Sequence, residues 1–428
     1  MTLAPRSTFS SLRHRNFRLF FVGQSISNSG NWLSNVALTL LVLKLTGTGV
    51  GVGWVAACQF GPMLFLSAWG GAVADRTDKR RMLFVTQSLE MAQSIGLAVL
   101  AFMPRPPLAG LYILATAGGI LLAFDNALRR SFVTEMVPAE DIPNAVVLYS
   151  TIVNLSRIVG PALAGLLVVT VGYGWCFTLD AASYVAVLAC LVMMRPAELH
   201  RQATPPRRKG AIREGLRYVR SVPELWISFA MLAVISMLAF NFSVTLPLFV
   251  TKDLGAGEGA FTMLYSVLSF GSVVTALVVA HRNLVAMRDI VRGAALFGVA
   301  LLLLSVVPGV ALAIPAAFLV GAASILYMTS TTAIAQVQGR HDMHGRVLAL
   351  QMVFVGGSGA VGGPLLGWIA DTVGARALMV IGGVVCLGAA GFGAVMTAKL
   401  RRAPQGTSRA RGSRESLAIG RARSQPPP

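Results

Sequence analysis

Twelve apolar segments dominate this chain of 428 residues. The first six centre near residues 30, 62, 92, 117, 159 and 184, and the other six near residues 237, 270, 300, 323, 359 and 386. A membrane span needs about 20 apolar residues, and a helix satisfies every backbone hydrogen bond within one such segment in lipid. Charged residues make up only 12% of the chain, whereas soluble proteins carry about 25%. The sequence therefore predicts an all-α polytopic membrane protein with twelve transmembrane helices.

The basic residues indicate how these spans are oriented. If the N-terminus is cytoplasmic, the inner segments hold 31 of the 36 Lys and Arg residues. Cytoplasmic loops of membrane proteins are enriched in Lys and Arg, so both termini are expected in the cytoplasm. The same asymmetry explains the net charge of +19 without nucleic acid as a partner. The remaining basic residues are Lys44, Arg105, Lys252 and Arg376 in outer loops, and Arg157 within a span.

The longest inner loop divides the chain into two halves of six spans. We expect an N-terminal half at residues 1–196, a cytoplasmic linker at 197–222 and a C-terminal half at 223–400. Within the linker, Ile212 to Val219 has the pattern of an amphipathic helix on the membrane surface. Residues 401–428 are rich in Arg, Ser, Gly and Pro, so they are expected to be disordered. This basic tail is either simply solvated or in contact with anionic lipid.

The fifth span of each half contains the same short motif. Residues 160–172 read GPALAGLLVVTVG and residues 363–374 read GPLLGWIADTVG, with Gly165 and Gly367 lying 202 residues apart. Parallel repeats place equivalent helices in equivalent positions about an axis along the membrane normal, and small residues let such helices pack closely. The residues expected at these helix contacts are Gly160, Pro161, Gly165, Gly363, Pro364 and Gly367.

The loop between the second and third spans reads GGAVADRTDKRR, residues 70–81. Together with twelve spans, a central cytoplasmic loop and a parallel repeat, it resembles the major facilitator superfamily, in which this loop reads G-x-x-x-D-R-x-G-R-R. Asp78 replaces the usual Gly and Lys79 replaces an Arg. The matching positions are Gly71, Asp75, Arg76 and Arg80.

Three further stretches, residues 15–33, 124–150 and 154–165, are similar to the drug and siderophore exporter branch of that superfamily, of the enterobactin-exporter and macrolide-efflux type. The resemblance implies a monomer of the bacterial inner membrane, with two six-helix halves that rock about a central site. It implies a proton-coupled exporter of small amphipathic molecules, with no enzyme activity, cofactor or metal. No phosphate-binding loop and no metal-ligand cluster occurs in the sequence. The alternatives are a metabolite importer of the same fold and a non-transporting receptor or assembly factor.

The same resemblance implies that the loop is a latch between the halves. Asp75 would face the N-terminus of the eleventh helix near residues 345–347, where dipole and free N–H groups favour an anion. An arginine at the inner end of the fourth helix would pair with Asp75. For the basic residues, the alternative is that they only obey the topology rule. The expected latch residues are Gly71, Asp75, Arg76, Arg80, Arg129 and Arg130.

Four amide side chains share one face of the first span. Gln24, Asn28, Asn31 and Asn35 recur at spacings of 4, 3 and 4, which follow the helical period. Because amides facing lipid are costly, the stripe is either a wall of a transport cavity or a hydrogen-bonded seam between helices. Further candidates for the cavity wall are Asn241, Tyr265, Ser269 and Gln351.

Arg157 lies about 10 residues into the fifth span, roughly 15 Å deep at about 1.5 Å per residue. An ionisable residue at that depth is a functional candidate that requires a partner. The acidic residues within spans are Asp125, Glu90 and Asp180. Because a carboxylate in a cavity of low dielectric can exchange protons, Asp125 or Glu90 is either a proton carrier or a static partner of an arginine.

Overall fold

The computed structural model of the chain describes residues 9–200, 211–279, 286–337 and 343–402, which form fourteen α-helices and no strand. The helices before the linker are α1 (Arg15–Thr46), α2 (Gly49–Arg76), α3 (Lys79–Phe102), α4 (Leu108–Val133), α5 (Ile142–Thr170) and α6 (Tyr173–Met193). Those that follow are α7 (Ala211–Ser221), α8 (Pro223–Leu238), α9 (Phe242–Leu248), α10 (Glu258–Val279), α11 (Met287–Val306), α12 (Val310–Val337), α13 (His344–Thr372) and α14 (Ala375–Arg402).

Eleven segments of the described chain are long and apolar enough to cross a membrane. One of them joins α8, α9 and a π-helical turn at Phe249–Asp253 into a single span. Helix α1 is 32 residues long, which is enough to cross a membrane, but it is less apolar than the eleven segments. The amide and serine side chains of its first half lower its mean hydropathy. With α1, the count reaches the twelve spans that the sequence predicts.

The repeat motif ends each fifth span in the same way. Gly172 follows α5 with φ of 90° and Gly374 follows α13 with φ of 112°. Residues that carry a side chain rarely adopt a positive φ, so glycine is favoured at both turns. The two motifs therefore encode the same helix and the same following turn, which fits two parallel six-helix halves.

Two helix crossings hold the halves together: α2 packs along α13, and α5 packs along α10. These crossings are equivalent under the repeat, since α5 corresponds to α13 and α2 to α10. Within the first half, α1 packs against α5 and α6, and α3 against α4 and α6. Within the second half, α12 packs against α10 and α11, and α14 against α8 and α11.

We call the end of the bundle with the α2–α3 turn (Thr77–Asp78) the inner end, and the end with the α1–α2 turn (Gly47–Thr48) the outer end. The amphipathic helix that the sequence predicts in the linker is confirmed as α7, which packs against α8 and α13. Glu214 of α7 pairs with Arg346 of α13 at 2.7 Å, which attaches the linker to the inner end of the second half. Residues 201–210 of the linker and residues 403–428 of the predicted tail lie outside the described residues.

Candidate functional site

A buried cluster of ionisable side chains lies inside the first half. Arg129 of α4 pairs through Nε with Asp125 Oδ2, one helical turn earlier, and its Nη2 lies 3.4 Å from Glu90 Oε2 on α3. The three residues are 5%, 0% and 3% exposed, respectively. Two carboxylates therefore share one guanidinium at a depth where charges require partners.

The amide stripe of α1 reaches this cluster. Arg129 Nη1 donates to Gln24 Oε1 at 2.7 Å and to Asn28 Oδ1 at 3.1 Å. Farther along the helix, Asn35 Nδ2 donates to Asn31 Oδ1 at 2.9 Å. Gln24 is buried, whereas the three asparagines are half-buried. The stripe thus forms a hydrogen-bonded seam at Gln24 and presents a partly open amide surface beyond it.

Helix α3 supplies the other polar contacts of the cluster. Gln87 Nε2 donates to Asp125 Oδ1 at 2.8 Å and to Glu90 Oε2 at 2.9 Å. Thr86 Oγ1 donates to Asp125 Oδ1 at 3.1 Å. Most oxygens of the two carboxylates therefore have donors, so the positions of both side chains are fixed from several directions. Buried polar networks of this kind are sensitive to the loss of any member.

Arg157 is not paired with Asp125, which is one of the candidate partners in its sequence. Asp125 lies four residues before Arg129 on one helix, a spacing at which helical side chains meet, and this contact occupies its carboxylate. Asp180 is also held elsewhere, because its Oδ2 accepts from Ser94 Oγ at 2.7 Å. The Arg157 guanidinium instead lies over the Trp32 ring of α1, 5.4 Å from its centroid.

Helix α5 has a polar face that the sequence reading identified only at Arg157. Ser150, Asn154 and Arg157 recur at spacings of 4 and 3, and all three are exposed. The Trp32 ring beside Arg157 also contacts Tyr265 of α10, with centroids 6.4 Å apart. Arg157 therefore lies at the boundary between the halves where α1, α5 and α10 meet, which we call the cleft. The 4 and 3 spacing is the same signal that identified the amide stripe of α1.

The candidates in the second half occupy two kinds of position. Asn241 lies at the break between α8 and α9, where its Nδ2 donates to Met237 O at 2.7 Å and to Ser236 O at 3.3 Å. Gln351 Nε2 donates to Thr332 Oγ1 of α12 at 2.8 Å. The other two candidates, Tyr265 and Ser269, are buried on α10. Asn241 thus caps a broken helix, whereas Gln351 joins two helices of the second half.

The basic residues Lys79 and Arg80, at the α2–α3 loop, contact other residues of the first half. Arg80 Nε donates to Leu191 O at 2.8 Å, and its Nη2 donates to Val192 O at 3.2 Å, at the end of α6. Lys79 Nζ lies 2.5 Å from Glu135 Oε1, and both side chains are buried. Asp78 caps α3, since its Oδ1 accepts from Arg81 N at 3.1 Å. These contacts tie the loop to α3, α4 and α6.

The remaining latch candidates are placed as follows. Gly71 is buried in α2 and Arg76 is exposed at its end. Arg130 lies in the last turn of α4, next to Arg129, whose guanidinium points into the buried cluster. The side chain of Asp75 and those of residues 344 and 345 lie outside the described part of the chain, so the latch remains a prediction.

Two contacts between the halves at the outer end were missed by the sequence reading. Asp371 of α13 accepts from Gly49 N at 2.7 Å and from Val50 N at 2.9 Å, in the first turn of α2. The Tyr173 hydroxyl of α6 donates to Glu258 of α10. Both contacts join residues far apart in sequence, and only the pairing of helices brings them together.

The glycines of the repeat lie at the crossings between helices. An added Cβ at Gly363 would lie 2.8 Å from Gly53 O of α2, and one at Gly165 would lie 2.7 Å from Thr262 Cβ of α10. Gly160 lies against Trp32 of α1. Pro161 and Pro364 lie inside α5 and α13. In the described residues, no group of His, Cys, Asp or Glu side chains is arranged to hold a metal ion.

Sequence comparison identifies relatives with known descriptions. A family model described as "transmembrane secretion effector" matches residues 6–417. The staphyloferrin A transporter of Staphylococcus aureus is 28% identical over 267 residues, which cover 61% of this chain and 66% of that protein. The enterobactin exporter EntS of Shigella flexneri is 25% identical over 257 residues, which cover 58% of this chain and 62% of that protein. The chain thus spans a little under two thirds of the length of these relatives.

Solved structures share the fold at low sequence identity. A POT family transporter in complex with 5-aminolevulinic acid has a TM-score of 0.74 at 12% identity, covering 90% of this chain and 96% of that one. A bacterial homologue of the human lysosomal transporter Spinster, in an inward-facing and unoccupied conformation, has a TM-score of 0.70 at 13% identity, covering 90% and 97%. These likenesses show the arrangement of the helices.

Proposed function

The chain belongs to the transmembrane secretion effector family of the major facilitator superfamily, and from this premise we propose that it is a proton-coupled exporter of small amphipathic molecules. It is a multi-pass membrane transporter with bacterial relatives. In the proposal, it works as a monomer in lipid of the bacterial inner membrane with both termini in the cytoplasm. It moves its substrate without changing it chemically, so no catalytic residue or cofactor is required.

The observation that carries the proposal is the sharing of Arg129 by Asp125 and Glu90. With both carboxylates ionised, the cluster has one negative charge in excess; with one protonated, it is neutral. An uncompensated charge is costly when it is buried, so the cluster has a physical reason to bind and release a proton. Tyr149 of α5 and Tyr184 of α6 border the same cluster.

The cluster is connected to the cleft through α1. Arg129 donates to Asn28 and Gln24, and α1 in turn packs against α5, which crosses to the second half. A change of charge at Asp125 or Glu90 alters how strongly Arg129 is held by the acids. The competing bonds from Arg129 to the amides of α1 must then change as well. This competition supports a link between protonation and the position of α1.

Alternating access would move residues 1–196 against residues 223–400. The contacts that join the halves at the outer end, Asp371 with α2 and Tyr173 with Glu258, support an outer gate that is closed in this conformation. The exposed polar face of α5 supports a cleft that opens toward the inner end. Substrate would then enter from the cytoplasm, as export requires.

Transport in proteoliposomes tests the proposal. Two relatives are named as transporters of staphyloferrin A and enterobactin. These two compounds are supplied on the cytoplasmic face with and without an imposed pH gradient. We expect the gradient to drive export in the wild type, and Asp125→Asn or Glu90→Gln to abolish this stimulation. Glu198→Gln is the matched control, because Glu198 forms an exposed ion pair away from the cluster. Transport that is indifferent to the gradient in the wild type contradicts proton coupling, and gradient-driven uptake contradicts export.

A further inference from the structure

Arg157 is an exposed cation near the middle of α5. Among the residues whose side chains the structure describes, no acid lies within ion-pair distance of it, because Asp125 and Glu90 pair with Arg129 and Asp180 is held by Ser94. A charge within a membrane span faces a water-filled cavity or a partner. The missing partner at Arg157 is therefore a feature that the fold and the buried cluster do not explain.

The surroundings of Arg157 locate it in the cleft. On one side of this face, Gly160 packs against Trp32 of α1. On the other side, Ile158 O accepts from Ser266 Oγ of α10 at 3.5 Å. Arg157 lies between these two contact edges, on the face that Asn154 continues toward the inner end. The guanidinium is thus exposed between the contacts that α5 makes with α1 and with α10.

We propose that Arg157 and Trp32 form an anion-binding subsite, and that the transported molecule carries a carboxylate or another anionic oxygen group next to an apolar ring. The proposal rests on the proposed transport function and specifies its substrate class. A guanidinium offers five N–H donors in a planar fork that matches a carboxylate with two parallel bonds. A ring contact such as that of Trp32 orients the fork but does not neutralise its charge.

Trp32 would bind the apolar ring of the ligand. Its ring is half-buried, contacts Arg157 on the same side of the cleft and reaches Tyr265 of the other half. A ligand aromatic or aliphatic group placed against this ring is removed from water while its anion meets Arg157. Such a ligand touches α1, α5 and α10 together, so its binding energy depends on how the halves are arranged.

Ser150 and Asn154 extend the subsite toward the inner end. Both are exposed on the same face of α5, Asn154 about one turn and Ser150 about two turns from Arg157. They offer neutral donors and acceptors that an anion meets before it reaches the guanidinium. A cationic substrate finds no exposed acid among these residues and meets Arg157 as a like charge. The subsite therefore selects by sign of charge as well as by shape.

Binding of three matched probes to the purified full-length protein in detergent, without any pH gradient, tests this inference. The probes are 2-naphthoate, 2-naphthamide and 2-naphthylmethylammonium, which share an aromatic body and differ in charge. Because a hydrogen bond to a charged group contributes roughly a tenfold change in affinity or more, the wild type should bind the naphthoate at least about tenfold more tightly than the amide. Arg157→Gln should remove this preference and leave amide binding unchanged.

Two further variants make the result specific. Arg157→Lys keeps the charge but not the planar fork, so it should retain part of the preference. Arg288→Gln removes an exposed arginine at the start of α11 and should retain all of it. Equal affinity for naphthoate and amide in the wild type, or an unchanged preference in a folded Arg157→Gln protein, overturns the proposal. Since no gradient is present, a failure of proton-driven export leaves this binding result intact, and the two proposals are judged separately.

Discussion

Asp371 at the outer end of α13 accepts a hydrogen bond from the backbone N–H of Gly49, the first residue of α2. The distance between Asp371 Oδ1 and Gly49 N is 2.7 Å. Its other oxygen accepts from Val50 N, and Lys252 Nζ lies 2.7 Å from Oδ1. An anion is stabilised at a helix N-terminus by unpaired N–H groups and by the helix dipole. Here the helix and the anion belong to different halves, so the bond, which we call the outer clasp, ties the two halves together at the outer end. The predicted role of Asp75 at the inner end is the same arrangement with α2 and α13 exchanged.

Asp371→Ala should open the outer gate more often. The side chain is 22% exposed, so solvent weakens the bond, and we expect a loss of about 1 kcal/mol, a roughly fivefold shift in the equilibrium. Spin labels at Leu45→Cys and Val373→Cys, both exposed at the outer end, report the distance between the halves in a background without the native cysteines. The long-distance population should rise. Glu198→Ala removes the exposed ion pair between Arg195 and the start of the linker and should leave the distances unchanged; an equal rise in both variants contradicts the clasp.

Gly363→Ala should destabilise the α2–α13 crossing. The added Cβ would lie 2.8 Å from Gly53 O and 2.9 Å from Ala56 Cβ, so one helix must move. Overpacking of this kind costs about 1–3 kcal/mol, and we expect a lower thermal midpoint and a wider outer gate. Gly388→Ala is the matched control, since nothing lies within 4 Å of its added Cβ. It should be neutral or stabilising, because alanine favours the helix. A Gly363→Ala protein as stable as the control shows that the crossing has room for a side chain.

Asn241→Asp should weaken the broken span formed by α8 and α9. The amide nitrogen donates to Met237 O and Ser236 O at the end of α8, and a carboxylate of the same size cannot donate to these carbonyls. Two backbone acceptors, of which Ser236 O is buried, then lose this donor, at a cost of about 1–3 kcal/mol. Thermal unfolding of the purified protein, with the wild type as the reference, measures this loss. A thermal midpoint equal to that of the wild type would show that the amide does not support the break.

The sequence patterns predicted the spans, the repeat and the amide stripe because each of these features is local and periodic. The i, i+4 spacing of Asp125 and Arg129 is equally visible in the sequence, yet the family resemblance implies that Arg129 belongs to the inner latch. A span boundary known only to within several residues cannot tell a side chain at the membrane surface from one that is a turn deeper. The structure places Arg129 inside.

The outer clasp was beyond prediction from a single sequence for a different reason. Asp371 and Gly49 are separated by 322 residues, and their meeting depends on α2 crossing α13 rather than another helix. The motif that contains Asp371 was recognised as a repeat, and its glycines indicated close packing. The residues of the motif do not indicate which helix they pack against. The sequence likewise leaves the partner of Arg157 open among the acids of the first half, since depth in the membrane does not determine which face of α5 meets α4.

Arg129→Gln should destabilise the first half more than any neutral substitution of its partners. It leaves the carboxylates of Asp125 and Glu90 buried without a cation, and removing one partner of a buried ion pair costs about 3–5 kcal/mol. The double variant Asp125→Asn with Arg129→Gln removes one of the two stranded charges, so it should recover part of the lost stability. Thermal unfolding of the purified proteins, followed by intrinsic fluorescence, measures both effects. If the double variant is less stable than Arg129→Gln alone, these side chains stabilise the protein through packing and not through the balance of charge. That result would also remove the physical basis proposed for proton binding at this cluster.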